Sequence, residues 1–325
     1  MRLKEIQIWL TCIMLTLSLL SCASSLPKDT PQGPKTYKNK MDIRIMGTRR
    51  SYLVHVPPDY TPQKPLPLVV VIHGAFDTAS GMEKHSTFSE LADREGFIVI
   101  YPNGMGIFGF FQHWNAGHCC GKAVNDDVDD VGFIAAAIDD VRLRLQIDPD
   151  RIYMVGFSNG GMLTYRFAAE RGDILAAVAP LAASIGGRPS EDTPLWQIPD
   201  PVKPIPAIVV HGLADKDILY DGGVSLYRGG TRNFLSVNES VDFWVRHNGC
   251  QPNEVTTELL NGHVHVNSWG ACSNDADVVL YLIENWGHVW PGPYFTTTLG
   301  EGDPLKDFDA SEIIWEFFQS HTRKP

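Results

Sequence analysis

Short apolar segments alternate with amphipathic segments along most of the chain. The short apolar runs predict buried strands, and apolar positions three and four residues apart predict helices. The predicted strands span residues 66–73, 97–101, 150–156, 174–181 and 206–211, followed by 255–260, 263–269 and 278–283. The predicted helices span residues 83–95, 131–145, 159–171, 239–248 and 310–321. An alternating segment around Gly47 predicts a β-hairpin ahead of them. This order is typical of an α/β fold with a mostly parallel central sheet covered by helices on both faces.

The N-terminus does not fit this pattern. Arg2 and Lys4 precede an apolar run over residues 6–20, which predicts a signal peptide over residues 1–21 and therefore export. No later stretch of the sequence is long and apolar enough to predict a membrane-spanning helix.

The residues that follow suggest how an exported chain could be anchored. Ser21 precedes Cys22, as at a bacterial lipoprotein cleavage site, so we expect acylation of Cys22 and a lipid anchor in the cell envelope. A plain signal peptide cleaved near Ala23 is the alternative. Residues 22–40 are rich in Pro and Lys without periodicity and predict a flexible tether, which leaves residues 41–325 as one domain.

The composition is that of a soluble globular protein. Hydrophobic residues make up 44% of the 325 residues and charged residues 20%. The formal net charge is −11, so nucleic acid and anionic membrane surfaces are poor partners.

The clearest chemical motif is a serine between two glycines. Gly156, Ser158 and Gly160 form G-x-S-x-G, and a predicted strand precedes them while a predicted helix follows. The motif is a nucleophile elbow, in which a sharp turn exposes the serine hydroxyl and leaves room only for small neighbours. A glycine-rich turn with an incidental serine is the alternative. Strand, elbow and helix together favour the α/β-hydrolase fold.

A base and an acid should follow the serine in the order Ser, Asp, His. Asp215 comes just after a predicted strand and is the expected acid, with Asp217 as its competitor. His288 is the expected base because it lies in a Gly- and Pro-flanked loop after a strand. The other histidines beyond Asp217 fall in predicted helices or strands: His247, His263, His265 and His321.

Two backbone N–H groups are expected to form an oxyanion hole. Asn159 follows the serine at the start of the predicted helix, where the helix dipole favours negative charge. Ala75 follows His73-Gly74 at the end of an earlier strand and is the expected second donor.

Four cysteines remain beyond Cys22. An exported protein with an even number of cysteines favours disulfides, and we expect Cys250 to pair with Cys272. Cys119 and Cys120 are adjacent, so they are either a strained vicinal disulfide or free thiols.

An acidic run over residues 126–130 raises the question of a metal site. The run lacks EF-hand spacing, and capping of the helix that follows explains it more simply. No metal and no cofactor is predicted.

The motifs together resemble the esterase family that groups polyhydroxybutyrate depolymerases, feruloyl esterases and acetylxylan esterases, including bacterial lipoproteins. The resemblance covers roughly residues 41–319 and rests on these segments: Val71-Ile72-His73-Gly74, Trp114-Asn115-Ala116-Gly117 with Cys119-Cys120-Gly121, Asp129-Asp130-Val131-Gly132-Phe133, Gly156-Phe157-Ser158-Asn159-Gly160-Gly161-Met162, His211-Gly212 with Asp215, and Gly287-His288-Val289-Trp290-Pro291-Gly292. The family's catalytic triad maps onto Ser158, Asp215 and His288.

The resemblance implies a serine carboxylesterase that acts on feruloyl or acetyl esters of plant cell-wall polysaccharide. A polyester or oligomer depolymerase is the alternative enzyme, although Ala75 stands where many polyester-degrading members carry Cys. A non-catalytic surface binding module on the same scaffold is the alternative outside enzymes. Trp114 and Trp290 are candidate residues of the substrate pocket, and Trp290 is favoured because it lies two residues after His288.

Overall fold

The computed structural model describes residues 35–45, 47–107, 109–225 and 232–324. The predicted signal peptide and Cys22 lie outside these ranges. Among the helices in these ranges, none has the length and apolar character needed to cross a lipid bilayer.

Sixteen strands are present in the described ranges. They are β1 (Lys35–Ile45), β2 (Thr48–Val56), β3 (Leu66–Ile72), β4 (Ile98–Pro102), β5 (Met105–Ile107), β6 (Phe110–His113), β7 (Ile147–Phe157), β8 (Ala177–Leu181), β9 (Gly186–Arg188), β10 (Trp196–Gln197), β11 (Ala207–Gly212), β12 (Gly223–Val224), β13 (Asn233–Phe234), β14 (Glu254–Leu259), β15 (Val264–Trp269) and β16 (Val278–Ile283). Ten of them form the central sheet in the order β1-β2-β4-β3-β7-β8-β11-β16-β15-β14. The six strands from β4 to β16 in that order are parallel, and the two strands at each end are antiparallel. The predicted mostly parallel sheet is confirmed.

Helices cover both faces of this sheet. They are α1 (Ala79–Ser86), α2 (Phe88–Glu95), α3 (Gly121–Asn125), α4 (Asp130–Arg144), α5 (Asn159–Arg171), α6 (Val237–His247), α7 (Pro293–Thr296) and α8 (Ala310–Gln319). Helices α4, α5 and α6 pack on one face, and α1, α2 and α8 pack on the other. Strand β3 is buried along its whole length because it lies between these two layers, which explains its continuous apolar sequence.

Two smaller sheets lie beside the central one. Strands β9, β10, β12 and β13 form a four-stranded antiparallel sheet, and β5 and β6 form a hairpin. Both come from segments that leave the C-terminal edge of the central sheet, which is the edge where α/β folds bind their ligands.

The predicted start of the domain at residue 41 was wrong. Strand β1 begins at Lys35 and pairs antiparallel with β2, so residues 35–40 belong to the domain and not to a tether. The lysines of this segment are exposed while Asn39 and Met41 are buried. An edge strand of this kind has a polar sequence because charged side chains on an edge strand oppose pairing with strands of other chains.

The predicted helix over residues 83–95 was also wrong in its bounds. The structure has two helices, α1 and α2, which meet at Thr87. Thr87 adopts a left-handed conformation with φ of 54°, and its N–H donates to the Glu83 carbonyl, which ends α1. Threonine gives no sequence signal for such a break, because this conformation is unfavourable for a β-branched residue.

The cysteines form two pairs. Cys250 and Cys272 are bonded with an S–S distance of 2.04 Å, as expected from the sequence, and link the segment after α6 to the loop before β16. Cys119 and Cys120 are bonded to each other across a cis peptide bond.

The Cys250–Cys272 bond should contribute to stability but not to chemistry. It closes a loop with a sequence separation of 22 and lies near the N-terminal ends of the parallel strands. We expect a Cys250→Ser/Cys272→Ser variant to lose about 3 kcal/mol of unfolding free energy in a urea titration, because the unfolded chain gains freedom. Turnover per folded molecule should be unchanged. Equal stability of the two proteins would contradict this role.

Candidate active site

Ser158 lies on a strained turn between β7 and α5. Its backbone has φ of 55° and ψ of −121°, which is unusual for a residue with a side chain. The turn is possible because α5 approaches β7 closely at Gly156 and approaches the end of β3 closely at Gly160. A Cβ on Gly156 would overlap the carbonyl of Gly160, and a Cβ on Gly160 would lie 2.5 Å from the carbonyl oxygen of His73. The predicted elbow geometry is therefore present.

Ser158, His288 and Asp215 form one hydrogen-bonded line. Ser158 Oγ lies 2.8 Å from His288 Nε2, and His288 Nδ1 lies 2.6 Å from Asp215 Oδ2. Because Asp215 can only accept when ionised, Nδ1 carries the proton and Nε2 is left to accept from the serine. The three residues follow the C-terminal ends of β7, β16 and β11, so the parallel sheet brings them to one edge.

Asp215 is held by the loop that follows β11. Its Oδ1 atom accepts hydrogen bonds from the N–H groups of Asp217, at 2.8 Å, and Ile218, at 2.9 Å. The side chain is buried, and its other oxygen faces His288. Of the two candidate acids, the structure places Asp215 on His288, while Asp217 contributes a backbone donor to the turn.

His211 is a supporting residue that the sequence motifs did not identify as such. It is buried at the end of β11, and its Nε2–H donates to the Ile218 carbonyl at 2.9 Å. Burial lowers the pKa of His211, which keeps the ring neutral. The bond closes the turn that presents Asp215. The sequence could have indicated this supporting role, because His211-Gly212 ends a predicted buried strand.

One group of ligand atoms in this region could be mistaken for a metal site. Asp215, Asp217 and His288 each offer an atom within 4.8 Å of the others. Asp215 and His288 are already bonded to each other and, through Nε2, to Ser158. The hydrogen bonds that join Asp215, His288 and Ser158 account for the arrangement.

The two expected oxyanion donors lie on either side of Ser158. Asn159 opens helix α5, and Ala75 follows Gly74, where a Cβ would lie 3.3 Å from Ser158 Cβ. Within the described ranges, neither backbone N–H has a protein acceptor. Both are available to an oxygen bound beside the serine.

His73 fixes the peptide that carries the Ala75 N–H. Its Nε2 accepts from the Gly104 N–H at 3.1 Å, so Nδ1 carries the proton and donates to the Gly74 carbonyl at 2.7 Å. Burial lowers the pKa of His73 to about 4, so the ring stays neutral. The Gly74 carbonyl and the Ala75 N–H belong to one planar peptide, and the bond therefore orients both.

The Asn159 side chain fixes the other donor. Its Oδ1 accepts from the Trp114 N–H at 2.8 Å, and its Nδ2 donates to the carbonyls of Trp114, at 3.1 Å, and Cys119, at 3.3 Å. The Trp114 indole N–H donates in turn to the His73 carbonyl at 2.9 Å. Trp114 thus connects the segments that carry the two expected oxyanion donors.

The prediction of Trp114 as a pocket residue was wrong. Its side chain is completely buried and stacks on Phe133, with ring centroids 6.4 Å apart. An aromatic residue in a loop cannot be assigned to pocket or core from sequence alone, because both environments favour it.

Trp290 does border a cleft next to the triad. The cleft has a volume of about 320 Å³ and runs from the Gly74–Asp77 loop to His288 and α7. Trp290 forms part of its inner wall, and its indole N–H donates to Ser311 Oγ at 3.2 Å. Other side chains on the cleft come from Phe76, Met82, His85, Phe157 and Phe295.

The acidic run is occupied by protein partners. Asp129 caps helix α4 by accepting from the Gly132 N–H at 2.7 Å, as the sequence suggests. Asp130 forms a buried ion pair with Arg50 at 2.8 Å, and its second oxygen accepts from the Asn115 N–H at 2.8 Å. The run therefore supports the segment that contains Trp114.

Comparisons with known proteins agree with this geometry. Residues 50–190 match the family model described as esterase PHB depolymerase, a range that contains Ser158 but ends before Asp215. Feruloyl esterase B of Piromyces equi is 30% identical over 250 residues, which are 74% of this chain and 42% of that protein. Feruloyl esterase C of Emericella nidulans is 25% identical over 282 residues, 83% of this chain and 84% of that protein.

A solved structure shares the fold. The acetyl xylan esterase from Aspergillus awamori superposes with a TM-score of 0.54 at 17% identity, over 87% of this chain and 99% of that one. The predicted α/β-hydrolase fold is confirmed.

The Asn159 amide can be tested against a matched residue elsewhere. Asn159→Ala should lower kcat by about 10- to 100-fold with little change in KM, because the oxyanion donor loses its alignment. Asn248 makes the same three bonds to the backbone, to Ile205 N–H and to the carbonyls of Ile205 and Ala276, at the opposite edge of the sheet. Asn248→Ala should lower the free energy of unfolding similarly but leave kcat unchanged. Equal kcat values in the two variants would contradict a positioning role for Asn159.

Proposed function

We propose, from the match of residues 50–190 to the family model described as esterase PHB depolymerase, that the chain is a serine carboxylesterase that works through an acyl-enzyme. The observation that supports this most directly is the hydrogen-bonded line from Ser158 through His288 to Asp215, beside an open cleft.

The geometry supports a two-step reaction. His288 Nε2 takes the proton of Ser158 as the serine oxygen bonds to the ester carbonyl carbon, and the carbonyl electrons move onto its oxygen. That oxygen is stabilised by the N–H groups of Ala75 and Asn159. The carbon–alkoxy bond then breaks, and the leaving alkoxide takes the proton from Nε2. Water repeats these steps on the acyl-enzyme and restores the serine.

The substrate class we propose is an ester of plant cell-wall polysaccharide, with a feruloyl or acetyl group as the acyl part. The names of the relatives, two feruloyl esterases and an acetyl xylan esterase, support this class. The family name supports a polyester or oligomer hydrolase as the second candidate.

The proposed location is outside the cytoplasm, with a lipid anchor on Cys22. The support comes from the sequence alone, since the leader and Cys22 lie outside the described residues. An anchor would hold the enzyme at the cell surface, where insoluble polysaccharide is met.

The catalytic assignment is tested by substitution. Ser158→Ala should reduce kcat by roughly 10⁴- to 10⁶-fold, and Asp215→Asn by about 10⁴-fold, because the His288 tautomer is lost. Asp217→Asn is the matched control and should change kcat far less than Asp215→Asn, since it keeps the backbone N–H that donates to Asp215 Oδ1. A larger loss from Asp217→Asn than from Asp215→Asn would reverse the assignment of the acid.

A panel of substrates tests the proposed substrate class. Methyl ferulate, acetylated xylan, 4-nitrophenyl acetate and a hydroxybutyrate oligomer are compared by kcat/KM, and a fluorophosphonate probe reports whether Ser158 is nucleophilic. If only the hydroxybutyrate oligomer is turned over, the result would favour a polyester or oligomer hydrolase. No turnover of any ester and no labelling would leave the binding module as the function.

Anchoring is tested by Cys22→Ala. We expect the wild-type protein to partition into the detergent phase and the variant into the aqueous phase, because acyl chains supply the membrane affinity. A variant that stays in the detergent phase would refute acylation at this residue.

A further inference from the structure

A second carboxylate–imidazole pair lies on the cleft and takes no part in the reaction described above. His85 Nδ1 lies 3.3 Å from Asp77 Oδ2, and both residues line the cleft that contains His288. About a third of the His85 side chain and a quarter of the Asp77 side chain are exposed. The pair is therefore accessible to a ligand.

The pair is held in a defined orientation. Asp77 Oδ1 accepts from the Thr78 N–H at 2.8 Å, which fixes the carboxylate at the start of α1. The His85 ring packs against Tyr294, with centroids 4.8 Å apart, and Phe295, at 5.5 Å. With Nδ1 engaged by Asp77, the free position of the ring is Nε2. In the part of the chain that the structure describes, Nε2 has no protein partner.

The path from Ser158 to this pair follows the oxyanion loop. An ester whose carbonyl oxygen sits on the Ala75 N–H has its carbonyl carbon next to Ala75, which lines the cleft together with Asp77 and His85. The acyl group can therefore extend past Phe76, whose side chain is 52% exposed, towards Asp77 and His85. Phe157 and Phe295 form apolar walls along this path. Flat aromatic walls favour a flat aromatic ligand, since rings pack well on one another.

We propose that Asp77 and His85 form the distal end of an acyl-binding subsite, where His85 Nε2 hydrogen-bonds a hydroxyl on an aromatic acyl group. The ligand class is a hydroxylated arylacyl ester, such as a hydroxycinnamate. This inference rests on the proposed esterase function and adds the residues that select the acyl group. Asp77 acts through His85 and is a positioning residue.

The test compares two esters that differ by one hydroxyl, methyl 4-hydroxycinnamate and methyl cinnamate. The wild-type enzyme should prefer the hydroxylated ester by about 3- to 10-fold in kcat/KM, the range that one neutral hydrogen bond supplies at a partly exposed site. His85→Phe keeps a ring against Tyr294 and Phe295 and removes the donor and acceptor atoms. This variant should reduce the preference to about 1, because only the hydroxylated ester loses a hydrogen-bond partner.

A matched control is available on helix α6. His247 forms a similar pair with Asp200 at 3.0 Å, and its ring packs against Phe243 with centroids 4.2 Å apart. His247→Phe should leave the preference at the wild-type value. Asp77→Asn keeps an acceptor for the Thr78 N–H and should lower the preference partway, because His85 is held less firmly.

Several outcomes would overturn the proposal. One is a wild-type preference near 1, and another is a preference that persists in His85→Phe. A His85-dependent preference seen only for 4-hydroxybenzyl acetate over benzyl acetate would place the hydroxyl on the alcohol part. A His85-dependent preference seen only for methyl 3-hydroxybutyrate over methyl butyrate would assign a hydroxyalkanoyl group, and not an aromatic acyl group, to the subsite. None of these outcomes argues against the esterase function. That function would be contradicted only if no ester is turned over and Ser158 is not labelled.

Discussion

The close approach between the end of β3 and the first turn of α5 constrains the rest of the site. Gly160 allows the helix to start against the carbonyls of Ile72 and His73, where any side chain would collide with the backbone. This contact places Ser158 beside the Gly74–Ala75 peptide, so the serine and one oxyanion donor are positioned by the same packing. The strained conformation of Ser158 persists because the buried parallel strands on either side of β7 fix both ends of the turn.

Neutral buried histidines and one amide hold the reactive groups without facing the substrate themselves. His73 orients the Ala75 peptide, His211 closes the turn around Asp215, and Asn159 ties the start of α5 to Trp114. Each bond is made to a backbone atom, so the loops around Ser158 are fixed by main-chain contacts. The side chains that line the cleft, such as Asp77 and His85, make none of these three bonds.

The sequence predicted the structure correctly where a local sequence pattern determines a local element. The buried strands, helix α5, the elbow at Ser158 and the loop position of His288 all follow from apolar runs and glycine spacing. The role of Trp114 depends on three hydrogen bonds to residues over forty positions away, which no local pattern encodes. The break at Thr87 and the polar edge strand at Lys35 were missed for a related reason, because tertiary packing overrides their local preferences.

The ion pair between Arg50 and Asp130 has a consequence for how this sequence can change over time. Both side chains are almost fully shielded from water, and the guanidinium lies over the Phe133 ring, 3.8 Å from its centroid. Loss of one partner would leave the other charge buried without a counter-charge, at a cost of about 3–5 kcal/mol. Joint replacement by apolar residues avoids that cost, although it leaves the Asn115 N–H without its acceptor. Selection would remove single substitutions at either position. Residues 50 and 130 are therefore expected to change together in related proteins.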